Sequence, residues 1–395
     1  MKKLFAILLA AALFASPSAA LASDSGEAET TQETAAPAET PLSEIPAKSG
    51  VLMDAATGTV LFEKEAHTPM APASITKIMT MLLVMEEIQA GNLTMQDRVT
   101  CSANAASMGG TQIWLKEGEQ MTVQELMKAT AVASANDAAM ALAEHVGGGS
   151  EEAFVERMNA RAAELGMNDT LFCNPTGLDA EGHVSSAYDV ALMSRALLQF
   201  PEITQFTTIW MDSLREGRTE LVNTNKLVRF YKGCTGLKTG TTSDAGSCVS
   251  ASAARGKLHL ISVVMGCRTS AERFSSARQL LDYGFSHYTM FETSVSKEQF
   301  TPVKVKHGVL PEVSVEVDAS SSVILEKGRE KLVAEEITLE PEVEAPVEPG
   351  QVLGRVRLML EGEELASFEI RAAEKVERMT FGRAFGMLFE RMAGL

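Results

Sequence analysis

Ser74-Ile75-Thr76-Lys77 runs directly into Ile78-Met79-Thr80-Met81-Leu82-Leu83-Val84-Met85. The second run is apolar on nearly every side of a 3.6-residue period. It predicts a helix buried within a core rather than one lying on a surface. Ser74 and Lys77 stand at i and i+3, so their side chains share one face, one turn apart. A serine hydroxyl is a weak nucleophile and needs a base. A lysine desolvated against a core helix loses its proton near neutral pH and can serve as one. The partial positive charge at a helix N-terminus favours a developing anion beside the serine. Taken alone, the same four residues also describe a capping serine followed by an exposed lysine.

Outward from this stretch, Val51-Leu52-Met53-Asp54 and Val60-Leu61-Phe62 flank Ala55-Ala56-Thr57-Gly58 and read as a hairpin. Thr122-Val123-Gln124-Glu125 is a capping box opening a helix. Helical patterns follow over 137–144, 151–165 and 187–198. Strands return at 248–253 and 258–265, joined through Arg255-Gly256, and a last helix is expected over about 270–283. Strands at both ends with helices between them predict an α+β arrangement, one sheet built from distant segments and covered by helices.

The chain has 395 residues, 45% hydrophobic and 22% charged, enough for a sizeable core and more than one domain. Its formal charge of −17 disfavours nucleic acid as a partner, which needs a basic face to replace phosphate counterions. At the N-terminus, Lys2 and Lys3 precede an unbroken apolar run from Leu4 to Ala15, then Ser16-Pro17 and Ala20-Leu21-Ala22. That is the pattern of a secretory signal peptide over 1–22, too short for a stable membrane span. Residues 23–45 are acidic and rich in Thr, Glu, Ala and Pro, with no apolar period, and read as a disordered linker.

From about residue 293 the texture changes to period-two alternation, as in Val303-Lys304-Val305, Val313-Ser314-Val315-Glu316-Val317 and Val356-Arg357-Leu358-Met359-Leu360. These predict a small all-β domain over 293–374. In 375–395, Phe381, Phe385, Leu388, Phe389 and Met392 fall at helical spacing with Arg378, Arg383 and Arg391 off that face. This amphipathic helix suits a membrane interface, although docking on the body or on another chain has the same pattern.

Two further motifs lie in the region 46–292. Ser134-Ala135-Asn136, between two helical patterns, can bring a hydroxyl and an amide to one pocket, or can simply be a turn with a capping Asn. Lys238-Thr239-Gly240, followed by Thr241-Thr242, places lysine and threonine on alternate faces of a strand, with a glycine that lets a substrate backbone approach. It is not a phosphate-binding loop, because Leu237 stands where that pattern needs glycine.

The three motifs, in this order, are a set shared by serine β-lactamases and penicillin-binding proteins. The chain resembles the low-molecular-mass penicillin-binding proteins that act as serine-type D-alanyl-D-alanine carboxypeptidases. The likeness runs from about Val51 to Tyr288 and includes Phe172-Cys173-Asn174-Pro175-Thr176-Gly177-Leu178, His183-Val184-Ser185-Ser186-Ala187, and Ile261 to Gly266 leading into Arg268 and Arg273. The trailing β domain and terminal helix match that family's layout. The resemblance implies a β-lactamase/transpeptidase-like antiparallel sheet covered by helices, with an all-helical subdomain. It also implies that the catalytic residues are Ser74 as nucleophile, Lys77 as its base, and Ser134 with Lys238 passing a proton to the leaving group. Asn136, Thr239, Gly240, Thr241 and Arg273 would bind substrate, the N–H groups of Ser74 and Thr241 forming an oxyanion hole. The implied partners are peptidoglycan stem peptides ending in D-Ala-D-Ala, β-lactams as covalent inhibitors, and a membrane surface. No cofactor or metal is implied. Some members carry a histidine where this chain has Thr241, and a slip in spacing would exchange Arg273 with Arg268.

The six histidines are scattered, without His-Glu-x-x-His spacing, which argues against a zinc peptidase. His183 reads as a packing residue. Cys101, Cys173, Cys234, Cys248 and Cys267 read as small apolar residues, with Cys234 and Cys248 able to pair only if strand geometry allows. Glu164, before Gly166, resembles the water-activating glutamate of class A β-lactamases but is also an ordinary helix end. A serine β-lactamase and a catalytically idle wall-binding scaffold are the alternative functions.

Overall fold

The computed structural model describes residues 42–293, 300–317 and 322–393. The predicted signal peptide, and all of the predicted linker before residue 42, lie outside them. The frame of the first part is a five-stranded antiparallel sheet. In spatial order its strands are Val60–Lys64, Ser49–Asp54, Leu258–Cys267, Gly246–Arg255 and Cys234–Thr242. The N-terminal hairpin therefore pairs with a strand some two hundred residues later, Val51 facing Val263 and Leu52 facing Ser262.

Both faces of this sheet are covered, which is why its strands read as near-continuous apolar runs. Val51, Met53, Ile261, Val263 and Met265 point into one core, and Leu52, Val249, Ala251, Leu260 and Val264 into the other. The second core is closed by the helix Ser270–His287, longer than the sequence pattern suggested and opened by a Thr269/Glu272 capping box. The first core holds the helix Lys77–Gln89, whose residues Lys77 to Met85 are all buried. Around it pack the helices Asn136–Val146, Glu151–Glu164 and Ala187–Leu198, so the helical insertion is wrapped about one central rod. The expected Thr122/Glu125 capping box is present.

Ser74 differs from expectation in one respect. It does not open the α-helix but sits in a 3-10 turn, Ala73–Thr76, and the α-helix begins at Lys77. Pro72 precedes that turn, and Ala73 within it is left-handed (φ +49°). The tighter turn keeps Ser74 and Lys77 three residues and one turn apart, because i and i+3 eclipse in a 3-10 helix.

The β-rich portion has its own core of Val303, Val305, Val313, Val347, Val356, Leu358 and Ile370. A four-stranded sheet is built from Val315–Val317, Glu363–Ala372, Val352–Leu360 and Val333–Leu339. The expected boundaries of this portion shift at both ends. The strand Tyr288–Glu292 pairs with Ser322–Glu326, so pairing starts upstream of residue 293. Val376 bridges Val347 and Arg378 bridges Gly308, so these residues are sheet-bound rather than helical. The last helix starts at Phe381, and Phe381, Phe385, Met387, Phe389 and Met392 are all exposed.

Candidate active site

The centre of the first part is the amine of Lys77, which is fully buried. Its Nζ lies 2.9 Å from Ser74 Oγ, 2.6 Å from Asn136 Oδ1 and 2.6 Å from the Thr176 carbonyl oxygen. Three acceptors match the three N–H bonds of an ammonium, and a neutral amine would accept from the Ser74 hydroxyl instead. Burial first, and then the second cation Lys238, hold the Lys77 pKa well below its ordinary value, while Asp137 pulls it back up. The amine is thus poised to take a proton from the hydroxyl beside it.

Each partner is placed by a distinct local device. Thr176 lies in the bend 174–177, where Asn174 Oδ1 accepts from Thr176 N, Thr176 Oγ1 and Gly177 N. Thr80, one turn along the buried helix, donates to the Pro175 carbonyl at 2.7 Å. Together these aim the Thr176 carbonyl at Lys77 rather than at water. Gly177 (φ +79°) is needed for contact as well as conformation: a Cβ there would come within 1.8 Å of the Ala73 carbonyl oxygen and 2.9 Å of Ser74 N.

Asn136 opens its helix just after a π-helical turn, Ala129–Ala133, that ends at Ser134 in the left-handed conformation (φ +64°, ψ +31°). Ser134 and Asn136, on either side of Ala135, are both largely buried. Asn136 Nδ2 donates to Gly109 O at 2.7 Å, which fixes Oδ1 as the atom facing Lys77. Its backbone N–H donates to Thr111 O at 2.7 Å. Asp137, fully buried, accepts from the backbone N–H groups of Ile113 and Leu115 and so ties that loop to the helix.

Lys238, Thr239 and Gly240 lie on the edge strand, against the Ser74 turn. A Cβ on Gly240 would meet Pro72 O at 2.8 Å and Ala73 Cβ at 3.0 Å, so only glycine lets strand and turn close. Lys238 is fully buried and donates to Thr239 O at 3.0 Å. Burial, reinforced by Arg273, lowers its pKa to about 7. Thr239 Oγ1 donates to Thr224 Oγ1 at 2.7 Å. Arg273 reaches this strand from the helix Ser270–His287. Its Nη1 donates to Thr241 Oγ1 at 2.8 Å and to Gly240 O at 3.0 Å. Arg268 instead sits on the surface, paired with Glu272 at 2.9 Å, which separates the two arginines that sequence spacing alone could exchange.

Of the nine residues singled out from the sequence, Ser74 and Asn136 touch Lys77, Lys238 acts on it through its charge, and Gly240 closes on the Ser74 turn. Arg273 holds Gly240 and Thr241, Thr239 turns to Thr224, and Ser134 lies buried two residues before Asn136. Sequence reasoning passed over the supporting Asp137, Thr176 and Thr224. Asp137 directly follows the Ser-Ala-Asn motif, and Thr176 lies in a segment noted for resemblance but given no role. Thr224 carries no local signal.

The remaining candidates fall elsewhere. His183 is a neutral clip: Cys173 N donates to Nδ1 at 2.9 Å, so the ring proton is on Nε2, which donates to Thr76 Oγ1 at 2.8 Å. Burial pushes its pKa down to about 4. All five cysteines are free, and Cys248 lies opposite Gly240 while Cys234 lies opposite Ala253, so the two cannot bridge. Glu164 is exposed and paired with Arg161 at the end of its helix, away from Ser74's partners.

Residues 31–269 match the peptidase family described as D-alanyl-D-alanine carboxypeptidase, and residues 288–378 match the C-terminal domain of penicillin-binding protein 5. The chain is 44% identical over 339 residues to D-alanyl-D-alanine carboxypeptidase DacF of Bacillus subtilis, covering 85% of this chain and 87% of that protein. The crystal structure of penicillin-binding protein 5 from Haemophilus influenzae superposes with a TM-score of 0.74 at 30% identity, over 85% of this chain and 98% of that one. Penicillin-binding protein D2 of Listeria monocytogenes, in its ampicillin-bound form, is similar with a TM-score of 0.56 at 30% identity, over 61% of this chain and 98% of that one.

Two outcomes test this packing. Gly177→Ala forces a methyl into the Ala73 carbonyl and is expected to destabilise the protein by at least about 2 kcal/mol, read from urea midpoints; a near-neutral effect would show that the bend is not closed on the Ser74 turn. His183, with its folded pKa below the unfolded value of 6.5, gives full stability above pH 6.5 that is lost as pH falls towards 4. Melting temperatures should therefore fall more steeply over pH 6.5–4 in the parent than in His183→Gln.

Proposed function

The chain belongs to the D-alanyl-D-alanine carboxypeptidase family, a serine peptidase family, and from that premise we propose the roles of its individual residues and the place where it works. The observation that carries the proposal is the buried Lys77 amine, 2.9 Å from Ser74 Oγ with its pKa strongly depressed.

In this reading Ser74 Oγ attacks the carbonyl carbon between the two terminal D-alanines of a peptidoglycan stem pentapeptide, and its proton passes to neutral Lys77 Nζ. The backbone N–H groups of Ser74 and Thr241 receive the oxyanion, each donor worth a few kcal/mol of barrier. The C–N bond then breaks, the departing amine of D-alanine taking a proton through Ser134, with Lys238 tuning that hydroxyl. Asn136 holds the substrate amide and orients Lys77. Thr239, with Arg273 beneath the Gly240–Thr241 backbone, provides the positive end for the terminal carboxylate, which is what makes the enzyme an exopeptidase. Gly240 leaves room for the substrate chain to lie along the strand. Water cleaves the acyl-enzyme. A β-lactam acylates Ser74 by the same route but lacks a leaving group that departs, so it stays.

The domain division that supports this reading has the catalytic part up to about residue 287, the β-rich portion after it, and a terminal helix. No described helix is long and apolar enough to cross a membrane. The helix Phe381–Ala393, with its exposed aromatic residues and Arg383, suits the headgroup layer of the outer face of the cytoplasmic membrane. The signal peptide 1–22 would deliver the enzyme there.

Intact-mass spectrometry tests the chemistry. Signal-free protein should release D-alanine from diacetyl-Lys-D-Ala-D-Ala and hold a lasting penicilloyl adduct that Ser74→Ala loses. Lys77→Arg should fold yet acylate at least about 100-fold more slowly, because a guanidinium does not give up its proton. An adduct that persists in Ser74→Ala, or no D-alanine from folded protein, would sink the assignment. Separately, co-sedimentation with anionic phospholipid vesicles should be lost on truncation before Phe381; equal binding by the truncated chain would remove the helix from that role.

A further inference from the structure

Eight non-glycine residues among those described have positive φ, and three of them stand in the segments around Lys77: Ala73, Ser134 and Trp114. The first two belong to the motif turns. Trp114, at φ +60°, does not, and a bulky side chain in the left-handed region is a genuine outlier. Its backbone is held there from both sides. The Asp137 carboxylate accepts from Ile113 N at 3.1 Å and from Leu115 N at 2.9 Å, and Arg215 Nη1 donates to Ile113 O at 2.8 Å. Ile113 and Leu115 are buried, whereas Trp114 is 75% exposed. Among the described residues it is the most exposed large apolar side chain before the terminal helix. Strain that the surroundings enforce, at the rim of a site, calls for a use.

The loop carrying Trp114 is part of the site's wall. Gly109 O and Thr111 O accept from Asn136, whose Oδ1 lies 2.6 Å from Lys77 Nζ. The outward surface of this wall, Gly109, Gly110, Thr111 and then Trp114, is exposed and uncharged. We propose that Trp114 is a stacking platform for the sugar to which the stem peptide is attached, an inference that rests on the carboxypeptidase reading. Four residues separate the scissile bond from the sugar, about 13–14 Å when extended. The sugar end is therefore held well away from Ser74 rather than beside it. An indole combines a flat apolar face with one N–H donor, which matches the C–H face and acceptor oxygens of an N-acetylated pyranose. Charge begins beyond this uncharged surface, at exposed Lys116 and Glu117.

The test compares kcat/KM for three substrates: diacetyl-Lys-D-Ala-D-Ala, a free stem pentapeptide, and the disaccharide-linked pentapeptide. Trp114→Ala should lower kcat/KM about 5-fold on the disaccharide substrate, mainly through KM, and leave the other two unchanged; Trp114→Phe should recover part of the loss. An equal loss on all three would make Trp114 a structural residue and overturn the proposal. An equal loss on free and disaccharide-linked pentapeptide would place the ring on the peptide and overturn it too, as would no loss at all. Failure of the parent protein to release D-alanine from the diacetyl tripeptide would instead overturn the underlying reading. Should Trp114→Ala not fold, emission is followed in Trp210→Phe, which leaves Trp114 as the single tryptophan. The disaccharide with its lactyl group should shift that emission, and no shift would overturn the proposal.

Discussion

A lysine amine with no access to water is the constraint around which the first part of this protein is arranged. An unpartnered charge in that position would cost several kcal/mol, so its surroundings must offer either full hydrogen bonding or an environment that strips the proton. The structure does both. Ser74, Asn136 and Thr176 come from three segments separated by about sixty and forty residues, and all three place an oxygen within 2.9 Å of one nitrogen. The helix that carries Lys77 is buried from its first residue through its ninth, so the amine cannot escape by swinging outward. Packing the helical insertion and assembling the three contacts of Lys77 are consequently one requirement.

Close approach makes this possible, and two glycines permit it. Gly177 allows the Asn174 bend to rest on the backbone of the Ser74 turn, and Gly240 allows the edge strand to do the same from the other side. The Ser74 turn is thereby held between a bend and a strand that are sixty residues apart in sequence. Asp137 supplies the third brace by accepting the N–H groups of Ile113 and Leu115, so that Gly109 and Thr111 can in turn hold Asn136. None of these braces touches Ser74 Oγ; two fix the backbone that carries it, and the third fixes the Asn136 amide that holds its neighbour Lys77.

Much of this was legible in the sequence, for identifiable reasons. The all-round apolar run after Lys77 could only be a buried rod, and the alternation after residue 300 could only be sheet. The motif residues were recognisable only as a set and through their resemblance to a known family, because a hydroxyl and an amine one turn apart, or a hydroxyl and an amide two residues apart, also read as a cap or a turn. What was not legible is long-range. The Thr224 hydroxyl that accepts from Thr239 and the Thr176 carbonyl that receives Lys77 act through positions no spacing encodes. The boundaries near 293 and 375 were misplaced because Tyr288–Glu292 and Val376 pair with strands far along the chain, a property of the partner rather than of the segment. The choice between Arg268 and Arg273 likewise needed the fold, since one turns to solvent and Glu272 while the other turns onto Gly240 and Thr241.

The cations of the site act on one another, and burial acts on all three. Burial, reinforced by Arg273, brings Lys238 to about 7, and burial, reinforced by Lys238, holds Lys77 well below its ordinary value. In an otherwise acidic chain these cations are concentrated where an incoming carboxylate would end. In the reading proposed above, a substrate carboxylate against Thr239 and Arg273 would enter a site whose cations already oppose one another, so binding it would relieve a repulsion that folding leaves in place. An uncharged chain end would bring no such relief, which is a physical reason for such a site to favour a terminal carboxylate.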